Sequence, residues 1–351
     1  MTTPLIYHSD FAGYDFGANH PFRGERFARF ISELEHRFPE VFSLLEIVEP
    51  EPASFEQIQT AHTPAYIERV LLLEKRRGFL SPDTQVLPGS VDSARLIVGG
   101  TIKVVNEAMS RKLAIGFGGL HHAGPDYGEG FCIFNDIAVA AVHLLKEGLD
   151  RVMIIDTDAH QGNGTMDIFY REKRVLFISL HQDPLTLYPG RGFIDEIGTG
   201  DGAGFTVNIP MPPLSTGEMY MYAMEEIVLP LIESYKPQII IRNGGSDPLY
   251  TDTLKNLGLD MGSLSELTGS IARKASELDI PLADLFLSGY GPYVTEGWLA
   301  ILRGTLGLQF SLEEPEEPLE ISQKQLKRMK AELTEKIKML KLKLKDYWDI
   351  F

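Results

Sequence analysis

The sequence is short of cysteine, with the single thiol of Cys132 in 351 residues. One thiol makes no intramolecular disulfide and supplies no cysteine-based structural zinc site, which predicts a reducing compartment. Also missing is any run of about 18 apolar residues, and the opening stretch, Met1-Thr-Thr-Pro-Leu-Ile-Tyr-His8, has no basic segment leading into an apolar one. These absences predict a soluble cytoplasmic protein with no membrane partner. Basic residues are outnumbered, 33 Lys and Arg against 49 Asp and Glu, for a formal charge of −16. Such a balance repels phosphate backbones and argues against a general nucleic-acid binder. It suits plain solubility and attraction of a cationic substrate alike. With 44% apolar and only 23% charged residues, a disordered or fibrous chain is ruled out. The length allows two domains or one large α/β domain.

Short β-branched runs recur at 113–117, 152–156, 175–180, 205–209, 238–242 and 282–288. They read as buried strands, while 137–147 and 218–234 carry apolar residues at three and four spacing, as helices covering a sheet do. The alternation predicts an α/β architecture with a mostly parallel, doubly wound sheet. In such sheets ligands bind beyond the carboxyl ends of the strands, so the polar residues that follow each strand are where chemistry is expected.

Residues 1–312 are expected to form this domain. The acidic, proline-containing stretch 313–318 reads as a linker, and 319–351 as a separate amphipathic helix. That helix has nine basic and five acidic residues, whereas 1–318 has 24 basic and 44 acidic, so it could dock on its own body. Its apolar residues Leu326, Met329, Leu333, Ile337, Leu340, Leu344, Trp348 and Phe351 form one stripe with an eleven-residue period. The face lacks a dense aromatic cluster, which favours packing on the parent domain or on a second copy of the chain over a membrane surface.

The strongest chemical signal is Val152-Met-Ile-Ile-Asp156-Thr-Asp158-Ala-His160-Gln-Gly-Asn163. Asp158 and His160 are two apart beyond a strand, so in an extended continuation both side chains leave one face and can grip a divalent ion. The competing reading is that they cap the following helix. A third ligand, Asp247, follows another strand end in Asn243-Gly-Gly-Ser-Asp247-Pro. An Asp, His, Asp set leaves one zinc position open, as a catalytic site requires.

His121 and His122 follow a third strand in Gly-Gly-Leu-His-His-Ala. Neutral imidazoles can take a proton from an activated water and return it to a leaving amine. Tyr290, between Gly289 and Gly291 at a fourth strand end, could donate to a developing oxyanion. Phe131, in Gly130-Phe-Cys-Ile-Phe-Asn-Asp136, is a core aromatic by default and a channel wall by alternative.

These blocks together resemble the zinc-dependent histone deacetylase superfamily, whose arginase-deacetylase fold is a three-layer α/β sandwich. His20-Pro-Phe-Arg23, Tyr188-Pro-Gly190 and Ser288-Gly-Tyr290 complete the match, which spans about 5–310. The His-His and Phe-Cys-Ile-Phe-Asn-Asp wording is similar to bacterial acetoin-utilization deacetylases, and Gly162-Asn163-Gly164 to class II deacetylases and acetylpolyamine hydrolases. The resemblance implies that Asp158, His160 and Asp247 bind one catalytic Zn2+. His122 would be the proton shuttle, with His121 its partner oriented by Asp156, and Tyr290 would hold the scissile carbonyl. Gly130, Phe131, Tyr188 and Leu254 would line the acyl channel. A structural K+ would sit on Asp156, Asp158, Ser179 and the main-chain oxygens of His160 and Leu180.

The implied activity is removal of acetyl, or another acyl group, from protein lysines, with an acetylpolyamine or other small N-acylated amine as the alternative substrate. A possible homo-oligomer would form through the C-terminal helix. Two rivals are weighed. A two-metal ureohydrolase needs a further Asp where Gly162 stands and an Asp-x-Asp where Asp247 is followed by Pro248 and Leu249. A catalytically silent acyl-lysine reader would not need the ligands, the His pair and the Tyr together.

Three departures from the family pattern stand out. Phe117-Gly-Gly-Leu120 replaces the common Arg-Pro-Pro-Gly, Gln161 takes a frequent His position, and Asn163 stands where class I members have the Asp paired with the shuttle His. The last predicts a less basic His122. Asp83 is weighed as the substrate-orienting rim acid against a structural role.

Overall fold

The computed structural model describes residues 2–315 and 319–351; positions 316–318 of the expected linker lie outside the described residues. Among the described residues, ten strands run in chain order as β1 (Thr3–Ile6), β2 (Leu45–Val48), β3 (Phe79–Ser81), β4 (Thr84–Gln85), β5 (Leu113–Phe117), β6 (Val152–Asp156), β7 (Val175–Gln182), β8 (Thr206–Met211), β9 (Ile239–Asn243) and β10 (Leu282–Phe286). β3 and β4 form a small antiparallel pair, and the other eight strands pair in parallel.

The chain divides into two compact units, and each holds four parallel strands. The first contains the chain up to Asp150 together with 162–168 and 281–287. Its strands run in the order β2-β1-β5-β10. The long helix Ser90–Arg111 covers β1, β5 and β10, and the helix Asp136–Lys146 packs on it. The second unit holds 151–161, 169–280 and 288–351, with the order β9-β6-β7-β8. β6, β7, β8, β9 and β10 are buried at every position, the signature of parallel strands covered on both faces.

All six expected strands are present, with ends shifted by up to two residues. β1 and β2 are additions: β1 is four residues long and includes Pro4, and β2 alternates apolar residues with Glu46 on a half-exposed edge, so neither has the apolar run that marks the others.

The expected helix at 218–234 is interrupted. It runs as α-helix over Gly217–Ala223, widens to a π turn over Met224–Val228, and resumes over Leu229–Tyr235. Pro230 accounts for the widening, because its ring crowds the carbonyl one turn back and it has no N–H to donate.

The C-terminal helix spans Gln323–Leu344 and starts with a capping box between Ser322 and Gln325. Met329, Leu333, Ile337, Leu340 and Leu344 are buried, as is Trp348 just beyond, whose Nε1 donates to Gly204 O at 2.8 Å. They pack on β8 and on helix Gly217–Ala223 with its π extension, within the second unit. Lys330 pairs with Glu218 (2.6 Å), Lys336 with Asp183 (2.5 Å) and Lys341 with Glu226 (2.5 Å). The basic helix is thus docked on acidic parts of its own chain. Its apolar stripe is used there, so a homo-oligomer through the same face would have to displace it.

Candidate active site

The second unit brings the three expected metal ligands together. β6 and β9 pair in parallel with Asp156 opposite Asn243, so the loops leaving their carboxyl ends start side by side. One loop carries Asp158 and His160, the other Asp247. The two carboxylates and the imidazole each offer a ligand atom within 4.8 Å of the others; Asp158 and Asp247 are buried, and the His160 side chain is 12% exposed. His160 Nδ1 stands 3.1 Å from Asp158 Oδ1 and 3.2 Å from Asp247 Oδ2.

The backbone holds these side chains in turn. Asp158 Oδ1 accepts from His160 N (2.8 Å), Asp247 Oδ2 accepts from Ala159 N (3.2 Å), and Asp247 Oδ1 accepts from Ser288 Oγ (2.8 Å). Burial and the neighbouring Asp158 carboxylate push the Asp247 carboxyl up. Burial alone would lower His160, but the two carboxylates override it and hold the imidazole up. Both shifts report surplus negative charge in a dry place, which a divalent cation would neutralise. Two hard oxygens and one imidazole nitrogen fit zinc.

Tyr290 lies in the same unit, two residues beyond Ser288. Gly245 and Ser288 form a parallel bridge, which ties the Tyr290 loop to the Asp247 loop. Gly289 between them has φ +124°, and a Cβ there would fall 1.9 Å from Ser246 Oγ, so the crossing needs glycine. Asp252 Oδ2 accepts from Tyr290 N at 2.6 Å, and its Oδ1 from Leu254 N at 2.9 Å. Burial lifts the Asp252 carboxyl to about 6.

Two side chains expected in the channel are unusually open for apolar groups: Tyr188 is 40% exposed, its ring 6.5 Å from that of His160, and Leu254 is 37% exposed. For the expected K+ ligands, Asp156 and Ser179 face each other across the β6–β7 pairing, and Leu180 follows in β7. Asp156 Oδ1 accepts from Asp158 N (3.1 Å), and Ser179 Oγ is 2.8 Å from His181 Nδ1.

The His pair belongs to the first unit. Its two rings lie 4.1 Å apart, and both residues are buried. The Asn135-Asp136 block builds their support. Asp136 accepts from Leu120 N (2.7 Å), Gly119 N (3.1 Å) and Thr101 Oγ1 (2.5 Å). Asn135 Nδ2 donates to the carbonyls of His121 (3.3 Å) and Ala123 (3.0 Å). His62 Nε2 accepts from Asn135 N at 2.9 Å.

His122 Nδ1 is 2.7 Å from Asn163 Oδ1, so the amide occupies the position expected for it. Phe131 has φ +67° and its ring lies 4.4 Å from that of His20 and 6.0 Å from that of Phe16. Gly130 precedes it, and a Cβ there would press to 2.4 Å from the His122 ring. Asp83 accepts from Ser81, from Thr84 Oγ1 (2.9 Å) and from Gly130 N (3.3 Å).

Residues 20–304 match the histone deacetylase domain. The chain belongs to the histone deacetylase family. A probable deacetylase of Archaeoglobus fulgidus is 35% identical over 314 residues, 87% of each chain. The acetoin utilization protein AcuC of Staphylococcus aureus is 34% identical over 279 residues, 76% of this chain and 71% of that one. The HD domain of HDA15 superposes with a TM-score of 0.84 over 100% of this chain and 98% of its own, at 23% identity. A histone deacetylase homologue solved with SAHA gives 0.82 over 97% and 100%, also at 23%. The deacetylase relatives and the doubly wound arginase-deacetylase fold are those expected from the motifs. As a family member the chain is a hydrolase of the deacetylase type.

The sequence does not mark Ser288 behind Asp247, Asp252 behind Tyr290, or Glu129 and Tyr127, which accept from Asn163 Nδ2 at 2.7 and 3.2 Å. A serine or an acid within a loop has no spacing signature, and its partner becomes visible only when the loops are placed.

Proposed function

We propose that this deacetylase is zinc-dependent and removes acetyl or a longer acyl group from lysine side chains of proteins, releasing the carboxylate and a free amine. The observation that carries the reading is the buried meeting of Asp158, His160 and Asp247, with its surplus of negative charge. Zinc on these three residues would polarise the amide carbonyl and acidify a water. The remaining work falls to the chain. His122 takes the proton of the attacking water and passes it to the lysine nitrogen as the C–N bond breaks, and His121 moderates its charge. Tyr290 donates its hydroxyl to the amide oxygen as that atom gains negative charge, with its backbone N–H anchored on Asp252. Tyr188, Leu254, Phe131 and Gly130 are the residues assigned to the acyl-lysine stem.

Asp156, Asp158 and Ser179, with the carbonyls of His160 and Leu180, would hold K+ and stiffen the β6–β7 end beneath the ligands. Among the described residues the ligand cluster has three members, which supports one catalytic metal over two.

A second reading, hydrolysis of acetylpolyamines or small N-acylated amines, draws support from the acidic body, with 24 basic and 44 acidic residues over 1–318. The test is metal content together with acetate release from a panel of acetyl-lysine peptides, longer acyl-lysines and acetylpolyamines. Zinc-replete protein that hydrolyses none of them overturns both readings and leaves the silent reader.

A further inference from the structure

The shuttle assigned to His122 needs its basic lone pair on Nε2, which requires the proton on Nδ1. An asparagine beside Nδ1 does not enforce that by itself, because an amide can turn either its oxygen or its NH2 toward the ring. The surroundings of Asn163 decide the matter. Asn163 Nδ2 lies 2.7 Å from Glu129 Oε1 and 3.2 Å from Tyr127 Oη. The carboxylate can only accept. The tyrosine is committed in the same sense, since its hydroxyl donates to Asp167 Oδ2 at 2.6 Å, which leaves its oxygen to accept. Both partners therefore demand the NH2 of Asn163, so Oδ1 faces His122, 2.7 Å from Nδ1, and the ring must donate from that nitrogen.

Resting on the deacetylase reading, we propose that Glu129 is a positioning residue for the proton shuttle: it locks the Asn163 amide, and the amide locks His122 in the Nδ1–H tautomer. All five residues lie in the first unit. The arrangement also explains why an amide stands at 163. A carboxylate in its place would confront Glu129 Oε1 at the same 2.7 Å, with two anions and no proton between them. The Asn and the Glu are thus one device, which carries fixed orientation to His122 with its charge one residue further back.

The test uses the full-length, zinc-loaded protein with 15N-labelled histidine, at about pH 8 where imidazole is neutral. The wild type should show the Nδ1–H signature for His122, assigned by its loss in H122Q. E129Q keeps an acceptor for Asn163 Nδ2 and should keep both the signature and kcat. E129L removes the acceptor, so the two tautomers should mix and kcat should fall about ten- to a hundredfold with KM little changed. Should E129L fail to fold, E129A replaces it, and N163D/E129Q, which removes the clash, should outperform N163D. An E129L or E129A enzyme with unaltered tautomer and kcat overturns the proposal. A tautomer shift in a protein that hydrolyses no acyl-amine would instead uphold the lock and sink the deacetylase reading.

Discussion

At Asp247 a single carboxyl answers to three neighbours: Ser288 Oγ on one oxygen, Ala159 N and the His160 ring on the other. D247A should therefore lose zinc affinity and activity together, measured by metal content after dialysis and by acetate release; retained stoichiometric zinc would remove Asp247 from the ligand set. Tyr290 predicts a different split. Its hydroxyl acts on charge that develops during reaction, so Y290F should bind zinc normally while kcat falls about a hundredfold or more. A fully active Y290F would take Tyr290 out of the mechanism. At this scale the candidate ligands and the His pair are marked in the sequence because each follows a strand end at short spacing. Ser288, Asp252 and Glu129 are not, since hydrogen bonds between residues 34 to 41 apart leave no local pattern.

Among the elements, the segment joining helix Phe55–Ile58 to helix Pro64–Arg76 carries His62, the buried anchor of the Asn135 backbone. Its Nδ1 donates to Gly124 O at 2.8 Å, and burial lowers its pKa to about 4. The unfolded chain then takes up the proton more readily than the folded one. His62 thus contributes stability that is present above about pH 6.5 and is lost as pH falls toward 4, by at most about 3 kcal/mol. Urea unfolding at pH 8 and pH 5 should show a larger loss for wild type than for H62Q; equal losses would refute this.

The C-terminal helix makes a second prediction at this scale. Deleting 319–351 uncovers the apolar surface under Met329, Leu333, Ile337, Leu340, Leu344 and Trp348, and should lower Tm by about 5 °C or more while leaving kcat on a short peptide intact. A Tm within about one degree of wild type would show that docking adds nothing to stability. The helix was legible from its eleven-residue stripe, and its docking from opposite charge. The π turn ahead of Pro230 was not, because the same apolar spacing fits a regular helix up to the proline.

Across the whole molecule, the chain order of the buried strands and motifs was legible because buried parallel strands write themselves as apolar runs, and the four thin ones, β1 to β4, escaped for want of such runs. Charge is a weaker guide, since it governs encounter and leaves chemistry alone. The body carries 24 basic against 44 acidic residues, so its field should draw cations over distances that salt cuts to about 10 Å at 0.1 M and about 3 Å at 1 M. A substrate recognised chiefly through its acyl-lysine stem should feel that field only in its flanking charges. The acyl-lysine reading therefore expects kcat/KM for a lysine-rich acetylated peptide to exceed that for a neutral one at low salt, with the two converging as salt rises. Acetylpolyamines should be poorer substrates at every salt concentration. If an acetylpolyamine instead gives the highest kcat/KM and keeps it in high salt, recognition lies in fixed contacts to the polyamine, and the protein-lysine reading gives way to the small-amine one.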